Sequence, residues 1–546
     1  MFMNGARYLV DILCENGVDV VFGYPGATVL SIYDELHKSR KQIRHIRTAH
    51  EQAAAHAADA YARVSGKTGV VIATSGPGAT NLVTGIANAY MDSVPMVVIT
   101  GNVDQHLIGT DSFQEVDIVG ITMSVTKYNC VVHSMEELGQ SLRNAFIIAQ
   151  SGRKGPVLVD VPKDVLESYS SCAYIKRIES QSNCYCSSDG DSTFDIFSQE
   201  MDNAIEMIIE SKCPVILVGG GVKAHRDSFV TDNIKKLAKM LDCNICSSLM
   251  GVDSIEYNYP GYMGFCGVSG KATANKAFDE ADLIIAIGTR FSNRMINSKS
   301  ESEVLHSGQT KVLHIDRDRA EINKVISSDC FLVGDAAQIL PELIKRYRDR
   351  ASIISETVSF VDVDADCERD EILCALSEKV GSEAYIITDV GNHQMWVARN
   401  YPFTKAGRFI TSGGLGTMGF GLGAAIGTAI YAKDKPVVLI VGDGGFGMSC
   451  HELATIKAYN LPVLVIMVNN GKLGMVYDLQ AQKCRKRFSQ TTMKRRPLYC
   501  SLARCFGMNA YKAHCMEEFN NAVQQYMETR KATFVDLCMD IHGRNK

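Results

Sequence analysis

The sequence predicts an α/β protein of three domains, each a mainly parallel sheet with helices on both faces, and three observations carry that expectation. Short β-branched runs alternate with helix-length segments through most of the chain, the order expected where parallel strands are linked by crossover helices. Several of those runs empty into glycine-rich turns, Val441-Gly442-Asp443-Gly444-Gly445 above all, on the edge where open parallel sheets place ligands. The chain has 546 residues, enough for about three cores of ordinary size. The boundaries expected are 1–170, 190–350 and 367–546.

Composition narrows the function classes. Hydrophobic residues make up 46% and charged ones 21%, the balance of a soluble globular protein. Lys and Arg total 56 against 61 Asp and Glu, a net charge of −5. That argues against a nucleic-acid surface or an acidic tail, so an anionic ligand has to be held by local groups. Residues 1–7 show no basic segment followed by an apolar one, and no apolar run is long enough to cross a bilayer. A cytoplasmic protein with no membrane partner is expected. The 18 cysteines are scattered among mostly apolar neighbours and read as thiols rather than disulfides. Cys243 and Cys246 form a CxxC and Cys184 and Cys186 a CxC, but without a second matching pair neither indicates zinc.

In the first domain a helix is expected over 6–16, a strand over 18–22, the turn Gly23-Tyr24-Pro25-Gly26 and a helix over 29–37. His50-Glu51-Gln52-Ala53-Ala54-Ala55 opens another helix. A strand over 69–73 enters Thr74-Ser75-Gly76-Pro77-Gly78-Ala79-Thr80-Asn81, and strands over 95–100 and 155–160 follow. Residues 166–193, rich in Ser, Cys, Asn, Asp and Gly, read as a linker. The central domain has a helix over 200–211 and a strand over 215–218 that runs into Gly219-Gly220-Gly221, with later strands over 283–287 and 312–315. Glycines after a strand suit a nucleotide phosphate, yet the run lacks GxGxxG spacing and fits a tight turn equally well. A second loose segment, 352–366, leads to the third domain, where a strand over 436–441, a helix over 448–460 and a strand over 461–468 form a βαβ unit. No short tandem repeat relates the first domain to the third.

That unit ends each strand in an oxygen ligand, Asp443 after the first and Asn469-Asn470 after the second, so Asp443 and Asn470 are expected to be neighbours. A carboxylate, an amide oxygen and a main-chain carbonyl are hard donors of the kind magnesium takes, with water and phosphate completing its shell. Gly442, Gly444 and Gly445 would let the backbone approach a diphosphate. A lone Gly-Asp-Gly is more simply a turn with a capping aspartate; the two asparagines one helix and one strand later reverse that preference. Glu51 alone would be an acid at a helix start, placed for the dipole. Its neighbours Ala49, Ala53, Ala54 and Ala55 are small and apolar, so it stands to be poorly solvated, which raises a carboxyl pKa.

Together these motifs resemble the flavin-containing branch of thiamine diphosphate enzymes, and within it the acetolactate (acetohydroxyacid) synthase large-subunit family. The resemblance runs from about Gly5 to Asp540 and is densest at 22–26, 50–53, 74–81, 108–114, 155–164, 413–421 and 443–476. It implies the thiamine diphosphate-binding fold for the first and third domains. Glu51 would then activate the aminopyrimidine, with Gly26 and Ala27 beside that ring. Gly416 would accept the 4'-amino hydrogen bond through its carbonyl, and Met418 would hold the two rings in a V. Val390, Gly391, Asn392, His393 and Gln394 would line the diphosphate, with Gly442, Gly444, Gly445 and Met475 also on the cofactor. Magnesium would sit on Asp443, Asn470 and the Lys472 carbonyl. Gln114, Phe113, Val103 and Lys163 would surround the substrate and its channel. Taken singly, Met418 and Phe113 would be packing and Lys163 a solvated strand end. The family also carries a structural, non-redox FAD, for which Arg153, Gly219, Gly220, Gly221, Arg290, Arg294 and Asp335 stand at matching positions.

The sequence departs from the family at several points. Ser292-Asn293 replaces a pair of acids before the second arginine, and Phe265-Cys266 replaces a Met-His pair. Gly26-Ala27 replaces Gly-Gly, Leu479 stands where the family has a channel tryptophan, and the chain stops soon after Val535-Asp536-Leu537, where the family adds a tail over the active site. The activity implied is a decarboxylating carboligation: pyruvate with pyruvate to 2-acetolactate, or with 2-oxobutyrate to 2-aceto-2-hydroxybutyrate, with little preference for the latter given Leu479. The alternatives are a related carboligase with another acceptor such as a nucleotide-sugar ketone, a cyclic diketone hydrolase, or a non-catalytic paralogue, whose signature, loss of Glu51, is absent. The resemblance further implies a homodimer or homotetramer with small 2-oxo acid substrates, and leaves a small regulatory subunit open.

Overall fold

The computed structural model describes residues 2–172, 198–224, 227–296, 299–305, 308–351, 370–493 and 497–539. It contains three six-stranded sheets. In the first, the strands run Arg44–Arg47, Val20–Gly23, Gly69–Ala73, Met96–Asn102, Pro156–Pro162 and Tyr128–Val131 across the sheet, every neighbouring pair parallel. The third sheet runs Phe409–Ile410, Tyr385–Thr388, Val437–Gly442, Val463–Val468, Thr533–Leu537 and Asn509–Ala513, parallel from Tyr385–Thr388 onward. Numbered along the chain, both have the order 2-1-3-4-6-5, so the two domains share one topology that no sequence repeat announces. The central sheet, Tyr262–Phe265, Asn244–Ser247, Pro214–Val218, Leu283–Ile287, Lys311–Asp316 and Cys330–Val333, is parallel in the order 3-2-1-4-5-6, that of dinucleotide-binding folds.

The first and third sheets belong to one compact unit and the central sheet to another. Within the first unit the seam is made by the helices Glu51–Ser65 and Phe420–Ala432. Both are dense in alanine and glycine. A Cβ on Gly427 would lie 1.9 Å from the Ala57 carbonyl oxygen and one on Gly423 2.8 Å from that of Ala53, so only glycine admits this approach. The helix Phe420–Ala432 buries nearly its whole circumference, as expected of a helix that is apolar all round.

Three expectations need correction. The linker expected from residue 166 starts later: Lys163–Glu167 is a short helix, and Tyr169–Ser171 pairs antiparallel with Phe2–Asn4, two three-residue segments that satisfy each other's backbone. Residues 173–193 of that linker, with Cys184 and Cys186, and all of 352–366 lie outside the described residues. The helix expected over 448–460 instead begins at Asp443, runs to Ser449, passes through a 3-10 turn at Cys450–Glu452 and resumes at Leu453–Ala458. The strand passes straight into it through Gly442, whose extended backbone stands at the N-cap, and Asp443 puts an acid in the first turn, where the helix dipole favours one. The helix expected from residue 29 likewise opens with a 3-10 turn, Ala27–Val29, before Leu30–Lys38.

Gly427→Ala is expected to destabilise the protein by about 1–3 kcal/mol through overpacking of the seam. Gly447→Ala, where a Cβ meets nothing within 4 Å, is expected to be neutral or mildly stabilising. Urea unfolding of the two variants beside the wild type measures the contrast.

Candidate active site

The strands Val437–Gly442 and Val463–Val468 lie in register, Gly442 opposite Val468, so the residues that follow them meet. Asp443 is buried, and its second carboxylate oxygen accepts the Gly471 N–H at 2.7 Å. Asn470 Oδ1 accepts the Lys472 N–H at 2.9 Å, and the Lys472 backbone bridges to Thr492. Asp443, Asn470 and Lys472 therefore share one cluster of turns. Among the described residues no group of three or more His, Cys, Asp or Glu could hold a metal, so any cation here depends on amide and main-chain oxygens beside one carboxylate. Gly444 and Gly445 are fixed by contact: a Cβ would lie 2.6 Å from Leu473 Cδ2 at the first, with Met418 Cε at 3.4 Å, and 2.6 Å from Asp389 Oδ1 at the second.

Asp389 closes the strand Tyr385–Thr388 and is fully buried. It accepts backbone N–H bonds from Val390 (2.8 Å), Gly419 (3.0 Å) and Gly421 (2.9 Å), which ties the 412–419 loop to the Gly-Asp-Gly turn. Burial pushes its carboxyl up to about 6 despite those bonds. Sequence reasoning passed over Asp389 as a site residue, although an acid between an apolar strand and Gly391 was its signal. His393 is buried and pushed down to about 4 by desolvation, so its ring is neutral at pH 7. Its Nε2 is buried without a hydrogen-bond partner, while the ring stands 2.9 Å from where a Cβ on Gly391 would be and 3.2 Å from one on Gly442. Asn392 donates to Asp478 at 3.0 Å, and the amides of Asn392 and Asn470 both press on Gly474, next to Met475. Gln394 is buried in the helix Asn392–Asn400.

The loop that carries Gly416 and Met418 is held by the first domain of the same chain. Asp92 accepts the N–H groups of Gly413 (3.2 Å) and Gly414 (2.7 Å) and pairs with Arg63 at 2.9 Å. Arg63 also pairs with Asp59 and donates to the Thr411 carbonyl. Asn88 accepts from Ser412 Oγ and Thr417 Oγ1 and donates to Asp59. Gly416 has φ +74, with nothing within 4 Å of a Cβ, so its backbone faces open space. Arg63, Asp59, Asn88 and Asp92 were all missed from sequence; their signal was a charged i, i+4 pair, Asp59 and Arg63, in an alanine-rich helix.

Glu51 begins the helix Glu51–Ser65 behind a His50 cap, half-buried, and accepts from Asn81 Nδ2 at 3.0 Å. Buried Glu452 accepts the N–H groups of Ala49 and His50 and so fixes the entry to this helix; burial raises its pKa. Gly26 is pressed on Thr74, 2.4 Å from a would-be Cβ, and Ala27 is exposed at the head of its 3-10 turn. Gln114 has φ +62, and its backbone lies against Gly76. Phe113 is not packing: it is 87% exposed. Val103 is buried, and Lys163 stands at the start of its short helix, 3.9 Å from Glu167. Glu51 and Arg63 are separated by about 18 Å of helix. Within one chain the Gly413–Met418 loop is gripped at Arg63 and Asp92, while Gly423 of the helix that follows it packs on Ala53, two residues from Glu51.

Comparison with known proteins bears on this arrangement directly. Residues 3–121 match the N-terminal TPP binding domain of thiamine pyrophosphate enzymes, 201–343 their central domain and 389–537 their C-terminal TPP binding domain. The chain is 39% identical over 93% of its length to the acetolactate synthase isozyme 2 large subunit of Escherichia coli, covering 90% of that protein. It is 37% identical over 98% of its length to the isozyme 3 large subunit of the same organism, covering 95% of it. It is also 37% identical over 98% of its length to a probable acetolactate synthase large subunit of Methanococcus aeolicus, covering 92% of it. The chain belongs to the acetolactate synthase large-subunit family of thiamine diphosphate enzymes. Its first and third domains are thiamine diphosphate-binding domains.

In the central domain Gly219–Gly221 and Arg290 follow Pro214–Val218 and Leu283–Ile287, the two adjacent strands at which the strand order reverses. The glycines are also a close packing device, since a Cβ on Gly219 would lie 1.9 Å from the Gly288 carbonyl oxygen. Asp335 accepts the Ala337 N–H and pairs with Arg317 at 3.5 Å, Arg294 is exposed, and Phe265 and Cys266 are buried. Arg153, in the other unit, donates to Ser93 Oγ at 2.8 Å.

Two measurements probe the site. A carboxyl raised to about 6 in the fold stabilises relative to the unfolded chain below pH 4 and loses that contribution as pH rises through 6. The stability difference between wild type and Asp389→Asn should therefore shift by about 3 kcal/mol between pH 4 and pH 7. Asp92→Asn leaves Arg63 paired with Asp59 but weakens the grip on Gly413 and Gly414, so hydrogen exchange at those two amides should quicken about tenfold, as read by mass spectrometry.

Proposed function

We propose that the chain is a thiamine diphosphate-dependent carboligase that joins two molecules of pyruvate into 2-acetolactate with release of one carbon dioxide, and that accepts 2-oxobutyrate as second substrate to give 2-aceto-2-hydroxybutyrate. The observation that carries this is the similarity to acetolactate synthase large subunits over nearly the whole chain, with Glu51, Gly416, Asp443 and Asn470 in place. When bound, thiamine diphosphate supplies the carbon nucleophile and the electron sink for decarboxylation.

The residues present fit that cofactor. His393 offers a buried, unpartnered Nε2, the kind of donor that a phosphate oxygen would satisfy, while its ring packs where side chains on Gly391 and Gly442 would stand. Held neutral, its ring adds a hydrogen bond without a charge that would compete with the cation. Val390, Asn392, Gln394, Gly444, Gly445 and Met475 complete that cradle, and Asp443, Asn470 and the Lys472 carbonyl would hold Mg2+. Gly416 would take the 4'-amino hydrogen bond on its carbonyl, with Met418 beneath the rings and Gly26 and Ala27 beside them. Glu51 would hold the proton at the pyrimidine N1' position. Gln114, Phe113, Val103 and Lys163 would line the approach, where a cation favours a carboxylate.

The family resemblance, which implies a site shared between the first domain of one subunit and the third of another, supports a homodimer or homotetramer. A structural FAD on Gly219, Gly220, Gly221, Arg290, Arg294, Asp335 and Arg153 is supported by the strand order of the central sheet. The relatives are named large subunits, which supports a small regulatory partner for this chain as well. Among the described residues no helix is long and apolar enough to cross a membrane, in keeping with a cytoplasmic enzyme.

The test is purified protein with pyruvate, thiamine diphosphate, Mg2+ and FAD, following carbon dioxide and 2-acetolactate together. Both should appear, and Glu51→Gln should lower both at least about 100-fold. Carbon dioxide without acetolactate would mean a different acceptor, and neither product would overturn the assignment. Added 2-oxobutyrate should compete no better than pyruvate, because Leu479, half-exposed on the helix Gly474–Lys483, stands where the family has its tryptophan.

A further inference from the structure

Between Lys472 and Tyr499 every charged residue except Asp478 is a lysine or arginine, in a chain whose net charge is −5. Of these cations Lys472, Lys483, Arg485, Lys486 and Arg487 lie among the described residues. The chain leaves the magnesium-type turn at Leu473, runs out through the helix Gly474–Lys483, and returns so that the Leu473 N–H donates to the Thr491 carbonyl and the Met493 N–H to the Gly471 carbonyl. Both feet of this arm stand on the site: a Cβ on Gly444 would lie 2.6 Å from Leu473 Cδ2 and 3.2 Å from Met493 Cε. Stacking of Tyr477 on Phe488, 3.9 Å between rings, and the bonds of Gln480 to Ser489 and Thr491 hold the two limbs together.

At the tip stand Lys483, Arg485, Lys486 and Arg487, all exposed, and none has an acid or other hydrogen-bond partner for its side chain among the described residues. Arg485 and Lys486 both have positive φ, +50 and +59, a conformation that glycine would adopt more cheaply. Elsewhere the surface lysines are commonly neutralised, as Lys38 is by Asp34 and Lys299 by Asp279. The one acid of the arm, Asp478, is engaged by Asn392.

We propose that this arm is an electrostatic collector for anionic carbonyl substrates at the entrance to the site. The inference rests on the proposed function only in taking the cluster of Asp443 and Asn470 as the place of reaction. Four exposed cations on an arm whose feet stand on the site, without acidic partners among the described residues, raise the local concentration of anions, an effect that salt screens over about 10 Å at 0.1 M. The ligand chemistry is a small carbonyl compound bearing a carboxylate or a phosphate. Its acidic group is attracted on approach, and the arm takes no part in bond making.

The test compares wild type with the quadruple variant K483Q/R485Q/K486Q/R487Q, all surface positions outside the cofactor machinery. At about 20 mM ionic strength the variant's KM for pyruvate should be roughly three- to tenfold higher, with kcat unchanged, and the two KM values should converge by about 0.5 M. Methyl pyruvate, which is neutral, should show no difference between the proteins; a phosphorylated ketone offered as acceptor should show a larger one than pyruvate if phosphate is the preferred group. The methyl proton line width of pyruvate with cofactor-free protein reads the same attraction without turnover, broader for wild type at low salt and equal at high salt. A KM gap that ignores salt, or that extends to methyl pyruvate, overturns the proposal, as does the absence of any gap in both measurements. Absence of turnover with the line-width difference intact would instead count against the assigned reaction alone.

Discussion

The helices Glu51–Ser65 and Phe420–Ala432 approach until the Ala57 carbonyl fills the space that a side chain at 427 would need, and much of the first unit follows from that contact. It allows one continuous apolar core to run from the first sheet to the third. It also brings the Asp59–Arg63 pair to the 411–417 backbone, where buried charges that would be costly alone are matched by one another and by N–H groups. A larger residue at 423 or 427 would push those charges off their partners as well as open the core. The alanines and glycines of this seam thus set where the cofactor loop stands.

The site itself is a consequence of topology. In both outer sheets the strand order reverses between the first and third strands of the domain, and the residues after those strands gather there: Gly26 with Thr74 in one, Asp389 and His393 with Asp443 in the other. The same geometry receives different chemistry. The first domain contributes a carboxylate, Glu51, from a helix start beside this edge, whereas the third contributes buried acids and amides directly from strand ends. Two copies of one plan thus present different groups at the strand ends of two thiamine diphosphate-binding domains.

The fold class, the three-sheet organisation and the strands were legible because buried parallel strands are short β-branched runs, and 69–73 and 283–287 were placed to the residue. Asp443 beside Asn470 was legible because each follows such a run. Helix starts were less so: nothing in apolar periodicity tells that the helix after Gly442 begins at Asp443, five residues early. The antiparallel pair Phe2–Asn4 with Tyr169–Ser171 joins two ends of a domain by backbone bonds between segments of three residues, too short to leave a pattern. Asp92, Asn88 and Glu452 escaped for a third reason. Each also holds a segment more than 300 residues away in the chain, as in the Asp92 grip on Gly414 and the Glu452 grip on His50, and such long-range pairing has no local signature.

One helix carries Glu51 at its first turn and, near its last, the arginine that steadies the glycine loop of its own chain. Under the proposed assembly those two ends serve different reaction centres. The genetic consequence is complementation between dead alleles. A chain lacking Glu51 and a chain lacking Asp443 are each inactive as homodimers, yet a mixed dimer assembles one centre with both defects and one with neither. Co-expression of two null variants would then restore up to half the activity of the dimers that mix, a recovery that no enzyme with its centre inside a single chain can show.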